Sequence, residues 1–300
     1  MPELPDLFPG FASHRIDTGI GPIFARTGGA GPPLLLLHGF PQTHAMWHRL
    51  APALAQHFSL VLMDLRGYGA SAAPEADGKH RTYSKRAMAN DAVAVMAALG
   101  HERFCLAGHD RGGRVGYRLA LDHPARVERL ALIDIVPTFE MWAGMDAARA
   151  LSTYHWMFLA QPGGLPERLI GAAPLDFLDH TLASWTATKT LTAFDERALA
   201  HYRHAFVQPG RIHAACEDYR AGAGPDRSDD AADRETGRKI LCPTLALWGV
   251  AGFPAQGRSA LDVWREWAVD VTGAPVAGGH FLPEENPKAT GEALLAFFKA

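Results

Sequence analysis

Residues 106–120, LAGHDRGGRVGYRLA, decide the fold. An apolar run, RFCLAG (103–108), enters the turn Gly108-His109-Asp110-Arg111-Gly112 and continues as a helix-period segment over 111–122. Glycines at 108 and 112 bracket this turn, which lets the chain reverse tightly between strand and helix. At its apex is Asp110, a carboxylate on a kind of turn that elsewhere presents a hydroxyl. Attack by a hydroxyl on a saturated carbon leaves an ether, whereas attack by a carboxylate leaves an ester that water can cleave at its carbonyl. Asp110 is therefore a candidate nucleophile toward an sp3 carbon bearing a leaving group. The plainer alternative is a helix N-cap.

Outward from this turn, apolar runs alternate with helix-period stretches. The runs are PPLLLLHG (32–39), FSLVLMD (58–64), RFCLAG (103–108), RLALIDIV (129–136) and CPTLALWG (242–249), with a further short strand near 274–277. Helical patterns fill about 82–99, 111–122, 259–269 and 284–299. Continuous rather than alternating hydrophobicity predicts strands buried on both faces, hence a mostly parallel, doubly wound α/β sheet. From Pro137 to about Gly237 the strand pattern stops, and Trp, His, Tyr, Ala and Arg recur at helical spacing. The predicted organisation is a core of residues 1–136 and 238–300 with an inserted helical cap over 137–237. The polar run GPDRSDDAADRETGRK (224–239) reads as a solvated surface return path, and IDTGIGPIFARTG (16–28) as surface loop or edge strand.

Composition narrows the partners. The 300 residues are 48% hydrophobic and 20% charged with a formal net charge of -3, so no overall basic field attracts nucleic acid or an anionic membrane. No apolar run reaches the ~18 residues of a membrane span, and MPELPDLFPGF lacks the pattern of a secretory signal, so the expectation is a cytoplasmic protein. Cys105, Cys216 and Cys242 lack metal-type spacing and are expected to be buried free thiols. His201 and His204 have no nearby Cys or acidic ligand set, so no metal is expected.

In an open parallel sheet, ligands bind at the carboxyl ends of the strands. Those ends here carry His38-Gly39-Phe40-Pro41, Asp64, Asp110, Asp134 and Trp248-Gly249, with Gly278-Gly279-His280 after the last strand. Arg111 and Arg114 stand in the first turn of a helix, where the dipole disfavours cations, so two positive charges beside a nucleophile call for a reason. Two guanidinium forks can grip a carboxylate and offset its repulsion from Asp110. The alternative pairs Arg114 with an acid at the sheet edge and points Arg111 to solvent. Arg118 has Asp122 at i+4, which an ordinary surface ion pair explains.

HGFPQT, DLRGYGAS, GHDRGGR and GGHFLPEE, in that order and spacing, resemble the α/β-hydrolase fold, in its branch with an aspartate nucleophile. That branch includes haloalkane dehalogenases, epoxide hydrolases and haloacetate dehalogenases. The resemblance implies that Asp110 is the nucleophile and that His280 activates water for the second step. Asp134 would be the acid that orients His280, because LWGVAGFPAQGRSAL (247–261) holds no Asp or Glu. A surface histidine and a capping or loop acid are the plainer alternatives for these two. The backbone N–H groups of Phe40 and Arg111 would form the oxyanion hole.

YHWMFLAQP (154–162) and CEDYRAG (216–222) resemble segments of the fluoroacetate (haloacetate) dehalogenases. The likeness implies that His155, Trp156 and Tyr219 donate hydrogen bonds to the departing halide. Without it, an aromatic stripe on a cap helix reads equally well as core packing. The resemblance further implies a small anionic haloacid as substrate, no cofactor, and a homodimer. Epoxide or haloalkane hydrolysis is the alternative chemistry, with Tyr154, Tyr202 and Tyr219 available to an epoxide oxygen. A non-catalytic binding protein on this fold is the third reading. The stretch GVAGFPAQGRSA (249–260) departs from the family pattern.

Overall fold

A computed structural model describes residues 4–252, 254 and 258–300, so part of the divergent 249–260 stretch lies outside the described residues. One eight-stranded sheet has the order β1-β2-β4-β3-β5-β6-β7-β8. At one edge β1 (Ala12–Asp17) pairs antiparallel with β2 (Pro22–Gly28), which pairs antiparallel with β4 (Ser59–Met63). From β4 onward, β3 (Pro33–Leu37), β5 (Phe104–His109), β6 (Val127–Ile133), β7 (Thr244–Gly249) and β8 (Val271–Val276) run parallel. The stretch 16–28 thus forms the end of one edge strand and all of the next. The strand expected near 274–277 begins at Val271, because its first residues are set by pairing with Thr244 and Leu245 rather than by hydrophobicity.

The central strands are continuous apolar runs because helices cover both faces; β5 is buried at all six positions. Their carboxyl ends line up along one edge. Asp110 N–H bonds to the carbonyl of Ile133 and Asp134 N–H to that of Leu247, which brings the ends of β5, β6 and β7 side by side.

Between β6 and β7 the chain forms eight α-helices, from Thr138–Ala143 to Pro225–Glu235. The last of these corrects the reading of 224–239 as a solvated return path. Asp226, Asp230 and Asp233 lie at i, i+4 and i+7 on one helical face, and that face is buried. Asp226 accepts from the backbone N–H of Lys85 at 2.7 Å, and Asp230 accepts from the Tyr117 hydroxyl at 2.7 Å and from Phe139 N–H at 3.0 Å. Asp233 accepts from Arg118. The helix is amphipathic in charge rather than in hydrophobicity, which is why its sequence reads as a solvated face. Arg118 changes accordingly: it is buried, and it bonds to Asp230 and Asp233 as well as to Asp122.

Cys105 and Cys216 are buried, but Cys242 is only half-buried. His201 Nε2 bonds to the carbonyl of Pro5, and among the described residues no cluster of His, Cys, Asp and Glu could hold a metal ion. Among the same residues, no helix is long and apolar enough to cross a membrane.

Candidate active site

Asp110 sits between β5 and the Arg111–Asp122 helix with φ at +47°, a left-handed value that a non-glycine residue adopts only where its surroundings enforce it. Those surroundings are glycines at close approach. A Cβ on Gly39 would lie 2.4 Å from Asp110 Cβ, and one on Gly112 would lie 2.4 Å from the carbonyl oxygens of Leu37 and His38. Buried His38 holds the adjoining loop by accepting the N–H of Leu65 at 3.0 Å through Nε2.

The three proposed catalytic side chains converge. Phe40 N–H donates to Asp110 Oδ1 at 2.8 Å, and Asp110 Oδ2 lies 3.8 Å from His280 Nε2. His280 Nδ1 bonds to Asp134 Oδ2 at 2.6 Å, while Asp134 Oδ1 accepts Gly249 N–H at 2.8 Å. His280 Nε2 is buried without a hydrogen-bond partner, on the side of Asp110. Of the two backbone N–H groups expected at the oxyanion hole, only that of Phe40 bonds to the Asp110 carboxylate. Arg111 N–H opens its helix, where no intrahelical acceptor exists, and it makes no hydrogen bond to the Asp110 carboxylate.

Burial pushes the Asp110 carboxyl up, but the positive charges of His280, Arg111 and Arg114 outweigh it and hold the group well below the usual carboxylate range. Burial pushes His280 down, but the hydrogen bond and negative charge of Asp134, with the charge of Asp110, raise it above its ordinary value. The neighbouring His109 is pushed down to about 3, mainly by burial. As a neutral ring it donates Nε2–H to the His280 carbonyl at 2.8 Å.

A cavity of about 130 Å³ opens onto this constellation, lined by Asp110, Asp134, His280, Arg114, His155 and Trp156 among others. Arg114 donates through Nη1 to the Val136 carbonyl at 2.8 Å and to Thr138 Oγ1 at 3.2 Å, its Nε is unbonded, and it has no acid partner. Arg111 does not point to solvent. It is fully buried, its Cζ lies 3.5 Å from the Tyr219 ring centroid and 4.8 Å from that of Trp156, and none of its three side-chain nitrogens is hydrogen-bonded. Arg111 and Tyr219 are not among the cavity's lining residues; they stand one layer back, against Trp156.

The Tyr219 ring lies 5.6 Å from that of His155 and 5.7 Å from that of Trp156, so these three residues form one cluster. The His155 Nδ1 and the Tyr219 hydroxyl are buried without partners. Burial drives His155 well below its ordinary pKa and Tyr219 well above its own, so both keep a neutral, proton-donating form. Of the other tyrosines, Tyr202 is spent on a bond to buried Glu284 and Tyr154 is exposed; neither lines the cavity.

Several contributors were not singled out in the sequence. Trp185 packs edge-on against His280 at 5.3 Å, and its carbonyl accepts His280 N–H at 2.9 Å. Glu285 ties this cap segment to the histidine loop by accepting the N–H groups of Ala187, Gly279 and Phe281. Buried Asp218 accepts from the Tyr68 hydroxyl and from Lys85, and it lies 3.7 Å from Arg111. The only signal available was position: Glu285 ends the GGHFLPEE stretch, and Asp218 lies within CEDYRAG beside Tyr219.

Residues 32–287 match the family model described as the alpha/beta hydrolase fold. The chain belongs to the α/β-hydrolase fold family. It is 44% identical to a fluoroacetate dehalogenase of a Burkholderia sp, over 97% of this chain and 95% of that one. It is 33% identical to a soluble epoxide hydrolase of Corynebacterium sp. (strain C12), over 91% of this chain and 92% of that one. A solved Nostoc sp PCC 7120 protein, provisionally assigned as an α/β hydrolase, superposes with a TM-score of 0.94 at 49% identity, covering 96% of this chain and 98% of that one.

Proposed function

We propose that the protein hydrolyses 2-haloacetates, fluoroacetate among them, to glycolate and halide. The observation that carries this reading is the pair of buried guanidinium groups beside Asp110, with unbonded nitrogens on both Arg111 and Arg114. A buried cation whose donors lack acceptors is costly, and a substrate carboxylate satisfies both its charge and its hydrogen bonds. A neutral epoxide or haloalkane offers it nothing comparable. The cavity of about 130 Å³ falls below the ~300–1,000 Å³ of sites for drug-sized ligands, which suits a two- or three-carbon acid. The 44% identity to a fluoroacetate dehalogenase supports the same substrate class.

In the first step Asp110 Oδ2 attacks the carbon that bears the halogen, and the halide leaves with the bonding pair. The cluster of His155, Trp156 and Tyr219 receives it; donors fixed in a dry pocket matter most for fluoride, a poor leaving group. In the second step His280 Nε2 takes a proton from water, whose oxygen attacks the Asp110 ester carbonyl. Phe40 N–H, already on Oδ1, stabilises the oxyanion. Collapse releases glycolate and restores the carboxylate, while Asp134 holds the imidazolium.

Epoxide opening by the same nucleophile is the weaker reading, since it leaves the two buried guanidinium groups without an anion, and of the three candidate tyrosines Tyr202 is bonded to Glu284 and Tyr154 is exposed. Halide release from fluoroacetate and chloroacetate, followed with ion-selective electrodes, tests the proposal. The expected result is release by the wild type and a KM raised by at least about tenfold in Arg114→Ala. An Arg114→Ala variant with unchanged KM, or a wild type active on epoxides and inert toward both acids, contradicts it.

A further inference from the structure

The Arg111 Cζ lies 3.5 Å from the Tyr219 ring centroid and 4.8 Å from that of Trp156, two rings nearly perpendicular to each other. Ring contacts hold a guanidinium in place without choosing which of its edges meets a ligand. The only anionic side chain within 4 Å of Arg111 among the described residues is Asp218, whose Oδ2 lies 3.7 Å from Nε. The attraction draws the Nε edge toward Asp218 and so sets the rotation of the guanidinium. Space for this placement comes from Gly222, where a Cβ would lie 3.4 Å from Arg111 Nη1.

Asp218 is itself firmly held. It is fully buried on the Arg211–Ala223 helix, its Oδ2 accepts the Tyr68 hydroxyl at 2.7 Å, and its Oδ1 accepts the Lys85 ammonium. Lys85 is anchored in turn by Asp226, through Nζ at 3.3 Å and the backbone N–H at 2.7 Å. Tyr68 and Lys85 belong to the sheet core and Asp218 to the segment between β6 and β7, so the orientation of Arg111 is referred across the seam between them.

We propose that Asp218 is a positioning residue for substrate binding: by holding the Nε edge of Arg111 it fixes that positive charge beside Asp110 and the cavity and so sets affinity for anionic substrates. The inference deepens the haloacetate reading and rests on it for the identity of the anion. Asp218 touches neither the reacting carbon nor the leaving group, so its effect falls on KM rather than on kcat.

Asp218→Asn keeps the size and the acceptor oxygen and removes the charge. With chloroacetate, KM rises by about tenfold or more while kcat stays within about threefold, and acetate binding to the resting enzyme weakens in parallel by calorimetry. Asp226→Asn disturbs the same Lys85 network without touching Arg111; it lowers Tm and leaves KM within about twofold. An unchanged KM in Asp218→Asn, or an equal rise in Asp226→Asn, overturns the proposal. If Asp218→Asn does not fold, Tyr68→Phe removes one of Asp218's two anchors and shows a smaller rise in KM, and no rise there counts against the inference. If the wild type turns over no haloacid, the haloacetate reading falls, and acetate affinity alone decides Asp218: weaker binding in Asp218→Asn supports it, while equal binding, or none in the wild type, overturns it.

Discussion

Two protonation states at one site are held apart by their neighbours. Asp110 stays ionised because the cations around it outweigh its burial, and His280 holds its proton more tightly than a free imidazole because Asp134 and Asp110 face it. In the resting enzyme the His280 imidazole, followed by NMR, titrates with a midpoint above the ordinary ~6.5. A midpoint near 5.5 in the wild type contradicts this, and Asp134→Asn shifts the midpoint downward. The same shift makes stability depend on pH. The folded state binds the His280 proton more tightly than the unfolded chain does, so this group's contribution is complete below ~6.5 and fades as pH rises through its folded pKa. Asp110 behaves in reverse, contributing stability above its ordinary ~3.9 and losing it as pH falls through its lowered value.

The elements that carry these residues depend on close packing as much as on chemistry. Gly39→Ala would put a methyl 2.4 Å from Asp110 Cβ and 2.8 Å from the His109 carbonyl oxygen, displacing Asp110 from Phe40 N–H. The expected outcome is a kcat loss of about 10²–10³, the usual cost of an oxyanion-hole donor, together with a lowered Tm from the overpacked turn. In the Pro225–Glu235 helix, Asp230→Ala strips the acceptor from Tyr117 and Phe139 and costs about 1–3 kcal/mol in urea unfolding. A value within 0.5 kcal/mol of zero, about the size of an ordinary surface substitution, shows that those bonds contribute little. That helix also marks a limit of legibility. Periodicity finds apolar faces, so β3, β5 and the Arg111–Asp122 helix are readable, whereas a buried face made of Asp226, Asp230 and Asp233 is invisible until Lys85, Tyr117 and Arg118 are seen against it. Asp110, Asp134 and His280 were readable from strand ends. Asp218 and Trp185 were not, since each matters through residues more than 90 positions away in sequence.

Across the whole molecule, the sheet order sets β5, β6 and β7 side by side, and the loop after β8 returns His280 over them beneath the helices of the β6–β7 connection. Those helices close the site to about 130 Å³, so chain length governs selection: 2-bromopropionate is turned over, and 2-bromooctanoate loses at least about 100-fold in kcat/KM. Equal turnover of the two acids shows that the site opens more widely than its resting shape. The covalent ester is open to intact-protein mass spectrometry of His280→Ala after exposure to chloroacetate. The expected result is a gain in mass of one carboxymethyl group, located by peptide mapping on Asp110 and absent from the His280→Ala, Asp110→Asn double variant. Chloride release by His280→Ala with no adduct on the protein contradicts it.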